Sequence, residues 1–295
     1  MLGYTYLLIT IILFSSMEVA GRMIYSTVGP LTMTFLRFFI GFILIFFFIL
    51  FNREERSILR MIKIRDLFSI FLLGFINVFL SMMLLQIAVH KGNASIPAIL
   101  ISSNPLFVYL IVNIKTKRFL RSHIIKIITG IAGITGVILF SQENGLSNPF
   151  TAFSLSLVAS MLFALYTTMA PPLVNKFSNL TVTGISFLSG TVCYIPFIFI
   201  FEDFSKISMM NFKEISILLY MGIFITGIGY LFFFEGLKRI QVHIGSLVFF
   251  LKPVFALIFS YILLKESIHP MQIVFILLIL YGTMPDLRKK NVHNN

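Results

Sequence analysis

The sequence predicts an all-α integral membrane protein with ten transmembrane helices, arranged as two inverted five-helix repeats. The composition, the length of the apolar runs and a sparse internal repeat predict this fold class. Of the 295 residues, 58% are hydrophobic and only 12% are charged, and the mean hydropathy is +0.98. A soluble domain of this size cannot bury so much apolar surface, so we place the chain in a lipid bilayer.

The apolar residues form continuous runs, each close to the roughly 20 residues that a helix needs to cross a hydrocarbon core. The runs do not alternate as barrel strands do, so they are helical. The first run lacks a basic leading segment and is too long for a signal peptide, so we predict that it is retained. We number the predicted spans 1 to 10, at residues 4–25, 31–51, 67–89, 94–114, 124–140, 152–170, 180–201, 215–236, 242–264 and 271–287.

The basic residues predict that both termini are cytoplasmic. The segments 52–66 and 115–121 carry the strongest positive charge, which membrane proteins keep on the inner side. This orientation leaves few basic residues outside, namely Lys91, Lys206, Lys213 and Lys265. The high isoelectric point therefore reflects topology in the plasma (inner) membrane and predicts no nucleic-acid partner.

Several chemistries have no matching pattern in the sequence. Cys193 is the single cysteine, which excludes a disulfide framework. The histidines show no metal-ligand spacing, and no phosphate-binding loop for ATP is present. We predict no metal, no cofactor and no enzymatic activity.

Two segments, 88–118 and 236–266, repeat each other. When Pro253 is placed over Pro105, further positions agree, among them Phe255 over Phe107, Ile262 over Ile114, and Lys265 over Lys117. Because five spans per half is an odd number, the second half enters the membrane inverted. We predict one repeat at 1–145 and the other at 146–295, joined by the Asn-, Ser- and Gly-rich segment 142–151.

The segments around these prolines resemble the drug/metabolite transporter superfamily, in its ten-helix EamA-like branch. The resemblance covers nearly the whole chain and is carried by LQIAVHKGNASIPAILISSNPLFV at 85–108, FEGLKRIQVHIGSLVFFLKPVFALI at 234–258 and LLKES at 263–267. Phe14 stands where the family commonly has Trp, and Lys117-Arg118 replaces the Gly-Glu pair that Lys265-Glu266 resembles. The resemblance implies a solute site near mid-membrane between spans 1, 3, 4, 6, 8 and 9.

Four ionisable residues lie inside predicted spans: Glu18, Arg22, Arg37 and Lys252. A charge in the bilayer costs about 2.5–3.5 kcal/mol on insertion scales, so these are the best functional candidates. Glu18 and Arg22 share one face of span 1 and can pair, although Arg22 can equally be an interfacial anchor. Arg37 either anchors helices in an ion pair, for example with Glu18, or contacts substrate. We assign Glu18 to a substrate cavity, and Arg22 and Arg37 to gating or charge pairing.

Lys252 lies near the middle of span 9, beside Pro253, whose ring and missing N–H loosen the backbone hydrogen bonding. One interpretation is a buried structural pair with Glu18 or Glu235. The other is that Lys252 binds an anionic group of the substrate or exchanges its partner during transport. Asn104 is its neutral counterpart in the first half, and Pro105 and Pro253 would ease the bending that opens and closes each face.

The remaining candidates for substrate binding are Asn77, Gln86, Ser103, Tyr166 and Tyr230. The amides and the hydroxyl of Ser103 can hydrogen-bond a substrate, but small polar residues also hold helices together in membranes. The two tyrosines either face the same cavity or pack in the interior.

The resemblance and the buried charges together imply a secondary transporter, an exporter of a small organic metabolite such as an amino acid, that works by alternating access. The alternative is a passive facilitator or channel. A membrane enzyme acting on lipid-linked substrates is less well supported, because the acidic residues and histidines form no cluster at one face. The expected partners are a small-molecule substrate and the bilayer, and the sequence leaves a homodimer open.

Overall fold

The computed structural model describes residues 2–91, 95–116, 132, 149–240, 242–265, 270–271, 273–274 and 277–278. All the regular elements in this part of the chain are helical. Seven of its helices are long and apolar enough to cross a membrane: Leu2–Arg22, Pro30–Phe51, Ile64–Lys91, Phe150–Lys176, Asn179–Phe201, Phe212–Arg239 and Ser246–Leu264. They correspond to predicted spans 1, 2, 3, 6, 7, 8 and 9.

The other predicted spans have different outcomes. Span 4 consists of two shorter helices, Ser95–Ile101 and Asn104–Thr116. Span 5 and the joint between the halves lie outside the described residues, apart from Ala132 and the beginning of the Pro149–Lys176 helix. Most of span 10 also lies outside them. The all-helical membrane fold is therefore present, with seven long helices among the residues that the structure describes.

Short polar sequences begin the helices as capping rules predict. Asn52 starts the surface helix Arg53–Met61 by accepting a hydrogen bond from the Glu54 N–H at 2.9 Å. Asn211 and Glu214 form a reciprocal capping box at the start of span 8. A 3-10 helix, Phe204–Met209, connects spans 7 and 8.

Spans 4 and 9 are each interrupted just before their central proline. In span 4 a turn at Ser102 and Ser103 separates the two helices, and the second begins at Asn104. In span 9 a turn of helix at Val242–Gly245 leads into a 3-10 segment, Ser246–Leu251, and α-helix resumes at Lys252. Proline fits the first turn of a helix, where its missing N–H has no partner to lose. Asn104 and Lys252 therefore occupy equivalent positions.

Spans 3, 8 and 9 contain π-helical segments, at Phe75–Ser81, Met221–Ile228 and Ser260–Leu264. Such widened turns disturb the regular backbone hydrogen bonds and frequently occur at functional sites. In span 3 the Tyr194 hydroxyl donates to the carbonyls of Val78 at 2.8 Å and Phe79 at 3.0 Å. The first two segments lie in spans 3 and 8, the third helix of each predicted half.

Spans 1 and 8 approach closely near the chain's N-terminus. A Cβ atom at Gly236 would lie only 2.6 Å from Cγ of Leu7, so glycine is required for this contact. Between the same two spans, further from the N-terminus, the Thr10 hydroxyl donates to the Gly229 carbonyl at 3.3 Å. Spans 1 and 8 are therefore tightly packed at the end of the bundle that carries the N-terminus.

The interior and the outer surface of the bundle are both apolar, as expected in lipid. The ring of Tyr230 lies at the centre of an aromatic cluster, 5.1 Å from Phe14 and 5.3 Å from Phe187 between ring centroids. Large hydrophobic side chains are exposed on the perimeter, among them Phe47, Phe51, Phe199, Ile200 and Phe201. The polar side chains discussed next are therefore enclosed by apolar residues on all sides.

Candidate functional site

A buried ion pair joins the first and ninth spans. Lys252 Nζ donates to the Glu18 carboxylate, and the two side chains are 2% and 0% exposed. Each residue lies at a helix irregularity: Glu18 follows the interruption at Ser16, and Lys252 begins the Lys252–Phe259 helix. Neither charge could remain buried without the other, because desolvation of a single ion is too costly.

A small cavity of about 20 Å³ adjoins this pair. That volume is enough for about one water molecule, so no organic solute fits in this conformation. Aromatic and sulfur-containing side chains form most of its wall, and Lys252 supplies its charge. Its lining residues are Phe14, Met17, Met82, Leu85, Ile101, Phe163, Tyr230, Phe249 and Lys252.

Amide and hydroxyl groups surround the same centre. Asn77 Nδ2 donates to the Tyr230 hydroxyl at 3.3 Å. On the first half's broken helix, Asn104 Nδ2 donates to the Ser160 carbonyl at 3.4 Å, and Ser103 shares a hydrogen bond with the Ser160 hydroxyl at 3.2 Å. All of these side chains except Tyr230, at 3%, are fully buried.

Several buried polar atoms at this centre have no hydrogen-bond partner among the described residues. They are Glu18 Oε2, Asn77 Oδ1, Gln86 Nε2 and Asn104 Oδ1. Buried polar groups are nearly always hydrogen-bonded in proteins, so a cluster of unsatisfied ones needs an explanation. A site that binds polar solutes would satisfy them in turn.

Arg37 is fully buried, but it has no carboxylate partner in the described structure. Its Nη1 donates to the Thr226 hydroxyl at 3.2 Å, and its guanidinium lies 4.4 Å from the ring centroid of Phe38. Thr226 belongs to the π-helical segment of span 8. The pairing of Arg37 with Glu18 that the sequence suggested is absent from this conformation, in which the Glu18 carboxylate accepts from Lys252.

Arg22 is exposed, and its hydrogen-bond partners are backbone carbonyls, not the Glu18 carboxylate. Its Nη1 donates to the carbonyls of Val89 and His90, both at 3.4 Å. These carbonyls belong to the last turn of span 3, where cations favourably offset the helix dipole. Glu235, another suggested partner for Lys252, pairs instead with Arg239 at 2.7 Å.

The bundle opens into a vestibule of about 760 Å³ at the end opposite the sealed contact of spans 1 and 8. Charged residues of both signs line it, including Lys91, Glu202, Asp203 and Lys206. Hydrogen bonds from the side chain and backbone of Ser205 lower the pKa of the Asp203 carboxyl, which keeps it ionised. Glu202 is fixed by accepting from the backbone N–H groups of Leu31 and Thr32 at 2.9 and 2.8 Å.

Tyr25 stands between the vestibule and the centre. It lines the vestibule, and its hydroxyl donates to both the side-chain and the backbone oxygen of Gln86. This hydrogen bond joins the end of span 1 to span 3.

The structure thus places every predicted site residue except Arg22 in the buried centre of the bundle. Pro105 and Pro253 are buried there as well, while the ring of Tyr166 lies 6.3 Å from Tyr230. Sequence reasoning missed Tyr25, Ser160 and Thr226, which bind the predicted Gln86, Asn104 and Arg37. A hydroxyl in an apolar run gives no signal of its partner, so only the packing reveals them.

Comparison with known proteins agrees with this architecture. The EamA-like transporter family matches residues 1–140 and 150–284. An uncharacterized transporter of Clostridium kluyveri is 29% identical, covering 96% of this chain and 92% of that one. The uncharacterized transporter YetK of Bacillus subtilis is 22% identical, covering 98% and 87%. A solved crystal structure shares the fold, with a TM-score of 0.70 at 17% identity over 95% of this chain and 94% of that one.

Proposed function

Because the chain belongs to the EamA-like transporter family and is therefore a membrane transporter, we propose that it is a secondary transporter of a small organic metabolite such as an amino acid. The solute would bind where Glu18 and Lys252 meet, and it would leave the cell by alternating access. The observation that carries this proposal is the buried Glu18–Lys252 pair beside a small cavity. Family membership indicates a transporter rather than an enzyme.

The matched irregularities of the two halves support ten helices in two inverted repeats, 1–145 and 146–295. Helices begin at the equivalent residues Asn104 and Lys252, each followed by proline. π-helical segments also occur in both third helices, at Phe75–Ser81 and Met221–Ile228. Interrupted helices at corresponding positions are the usual binding elements of transporters built from inverted repeats.

The two ends of the bundle differ as alternating access requires. The vestibule is open at one end, whereas Gly236 and Leu7 are packed together at the other. The charge of the loops supports cytoplasmic termini in the plasma (inner) membrane, so we assign the vestibule to the outside. The conformation then faces outward, with its central site closed beneath Tyr25 and Gln86.

The Glu18–Lys252 pair would open when solute binds. An ionic solute would replace one partner of the ion pair and leave the other partner without its contact. The unsatisfied groups of Asn77, Gln86 and Asn104 would then hydrogen-bond the solute. Ser103, Tyr166 and Tyr230 would complete the wall, while Arg22 and Arg37 would contribute to gating. Bending at Pro105 and Pro253 would transfer access from one face to the other.

The driving force separates two versions of the proposal. If Glu18 accepts a proton while Lys252 is engaged with solute, export is coupled to proton entry. A passive facilitator would use the same path without coupling, and a channel would need a continuous pore. No cofactor, metal or nucleic acid enters this scheme, and a homodimer is compatible with it.

Transport by purified protein in liposomes tests the proposal. Pools of labelled amino acids and other metabolites are loaded, and efflux is followed with and without a pH gradient. We expect saturable efflux of at least one solute, loss of that efflux in Lys252→Met, and retention in the lipid-facing control Val158→Leu. Efflux that is unaffected by Lys252→Met would show that the ion pair is not part of the transport site. Equal efflux rates with and without the pH gradient would indicate passive facilitation instead of proton coupling.

A further inference from the structure

We propose that Arg37 binds a carboxylate group of the solute. This inference rests on the proposed function, since it concerns the solute that crosses the bundle. It adds an anion-binding contact at Arg37 to the site where Glu18 and Lys252 meet, and it restricts the substrates to carboxylate-bearing solutes.

The first argument is the geometry of the free donors on Arg37. Nη1 is used by Thr226, whereas Nε and Nη2 have no hydrogen-bond partner in the described part of the chain. These two N–H groups lie side by side on one edge of the planar guanidinium. That edge is the fork that binds both oxygens of a carboxylate in two parallel hydrogen bonds.

The second argument is the charge of the core. Among the described residues, Glu18, Arg37 and Lys252 are buried in this core, and Lys252 pairs with Glu18, so no carboxylate in this part of the chain forms an ion pair with Arg37. Arginine does not lose its proton inside proteins, so it cannot escape the cost of burial as a neutral group. The Phe38 ring face offsets only part of that cost. One carboxylate would make the core neutral.

The third argument is position. Arg37 lies against Phe38, whose ring centroid is 5.9 Å from that of Tyr230. Tyr25 lines the vestibule and Tyr230 lines the central cavity. A carboxylate that enters the centre from the vestibule would reach Arg37 when these rings move apart.

The hydrogen bond from Arg37 to Thr226 connects the carboxylate site to span 8. Thr226 lies in the π-helical segment of span 8, and a Cβ at the neighbouring Gly222 would lie 3.2 Å from the Arg37 carbonyl. Span 2 and the π segment are thus in close contact at Arg37. Binding of a carboxylate there would act directly on an irregular turn of the helix that seals the opposite face.

The test is a thermal-shift comparison on purified protein, since a ligand that binds the native state raises the Tm. The probes are each amino acid and its carboxamide, which lacks the carboxylate, together with lactate, succinate and chloride. The proteins are wild type, Arg37→Gln, Arg37→Lys and Lys115→Gln, the last removing an exposed cation that does not line the vestibule.

We expect at least one carboxylate solute to raise the wild-type Tm while its carboxamide does not. The apparent affinity should be unchanged in Lys115→Gln and at least tenfold weaker in Arg37→Lys, which keeps the charge but loses the fork. Arg37→Gln should lose the shift entirely, and Arg37→Lys decides the matter if Arg37→Gln does not fold.

Any one of four results would overturn the proposal. They are equal Tm shifts from a solute and its carboxamide, equal affinities in wild type and Arg37→Lys, a Tm shift produced by chloride alone, and no carboxylate-dependent Tm shift at all. Efflux from liposomes separates this failure from failure of the proposed function. A transported solute without a carboxylate would leave the transporter assignment standing and remove the role of Arg37.

Discussion

Glu18 and Lys252 lie 234 residues apart and form an ion pair in the apolar centre of the bundle. The pair connects the first helix of one predicted half to the fourth helix of the other. Its location at two helix irregularities means that its formation is tied to the local shape of both helices. Stability and transport should therefore respond differently when the pair is altered.

Neutralising one member should destabilise the protein more than neutralising both. Glu18→Gln or Lys252→Met leaves a buried charge without its partner, which costs about 3–5 kcal/mol. The double variant removes both charges and should recover most of the Tm, while transport remains absent. The measurement is a thermal melt of all four proteins in the same detergent.

Additive losses of Tm in the double variant would show that the two side chains do not interact. Lys206→Gln serves as a control for removal of a cation, because Lys206 is exposed and should leave the Tm unchanged.

Replacing the central prolines should slow transport but spare binding. Pro253→Ala and Pro105→Ala restore a backbone N–H and remove the proline ring, so that the helix can extend back across the interruption. A bias of about 1.4 kcal/mol against the bent state already lowers the rate tenfold. Efflux rates and thermal-shift affinities of the same preparations measure the two effects.

Pro196→Ala is the matched control, because Pro196 lies inside the span 7 helix on its exposed side. An equal loss of transport in Pro196→Ala would mean that the position of the central prolines has no special role.

Removal of the Tyr25 hydroxyl should make the central cavity easier to reach from the vestibule. Tyr25→Phe loses the hydrogen bonds to Gln86, each worth about 0.5–1.5 kcal/mol. In a Cys193→Ser background, a cysteine at the cavity residue Met82 should then react about 2- to 10-fold faster with a polar thiol reagent added to the vestibule side.

The control is Tyr220→Phe, which loses a hydrogen bond to Ser16 away from the vestibule. Equal acceleration in both variants would indicate general loosening, and no acceleration in Tyr25→Phe would exclude a gate at this hydrogen bond.

Filling the close contact between spans 1 and 8 should open the sealed end. Gly236→Val places atoms where Leu7 already lies, and overpacking of this kind costs about 1–3 kcal/mol. In Gly236→Val, a cysteine in place of the buried residue Thr10 should react faster with a thiol reagent added on the side of the chain termini. The comparison is the same cysteine in the Val158→Leu variant. Unchanged reactivity would mean that the contact does not seal that end.

The sequence predicts the membrane spans well because continuous apolarity is a simple physical requirement of lipid. It also predicts the central charges, since an ionised side chain within a span needs a partner. It does not decide among partners: Glu18 is four residues from Arg22, yet the long Arg22 side chain reaches carbonyls at the end of span 3. Because Arg22 binds elsewhere, Glu18 pairs with Lys252.

Features that depend on packing were beyond sequence reasoning. The π-helical turns have no compositional signature, and the Thr226 hydroxyl that holds Arg37 lies in an ordinary apolar run. The vestibule arises from the divergence of helices, and no single residue encodes it. The predicted repeat, by contrast, rests on sequence matches around Pro105 and Pro253, where the structure starts new helices.

Distances measured with spin-label pairs test the central claim, that the two ends open in alternation. One pair, at Ser26 and Lys206, reports on the vestibule, and the other, at Tyr4 and Lys238, reports on the sealed end. On addition of the transported solute to Cys193→Ser protein in liposomes, we predict that the first distance shortens in the same fraction of molecules in which the second lengthens. Both distances remaining unchanged while solute crosses the membrane would contradict alternating access and identify a channel.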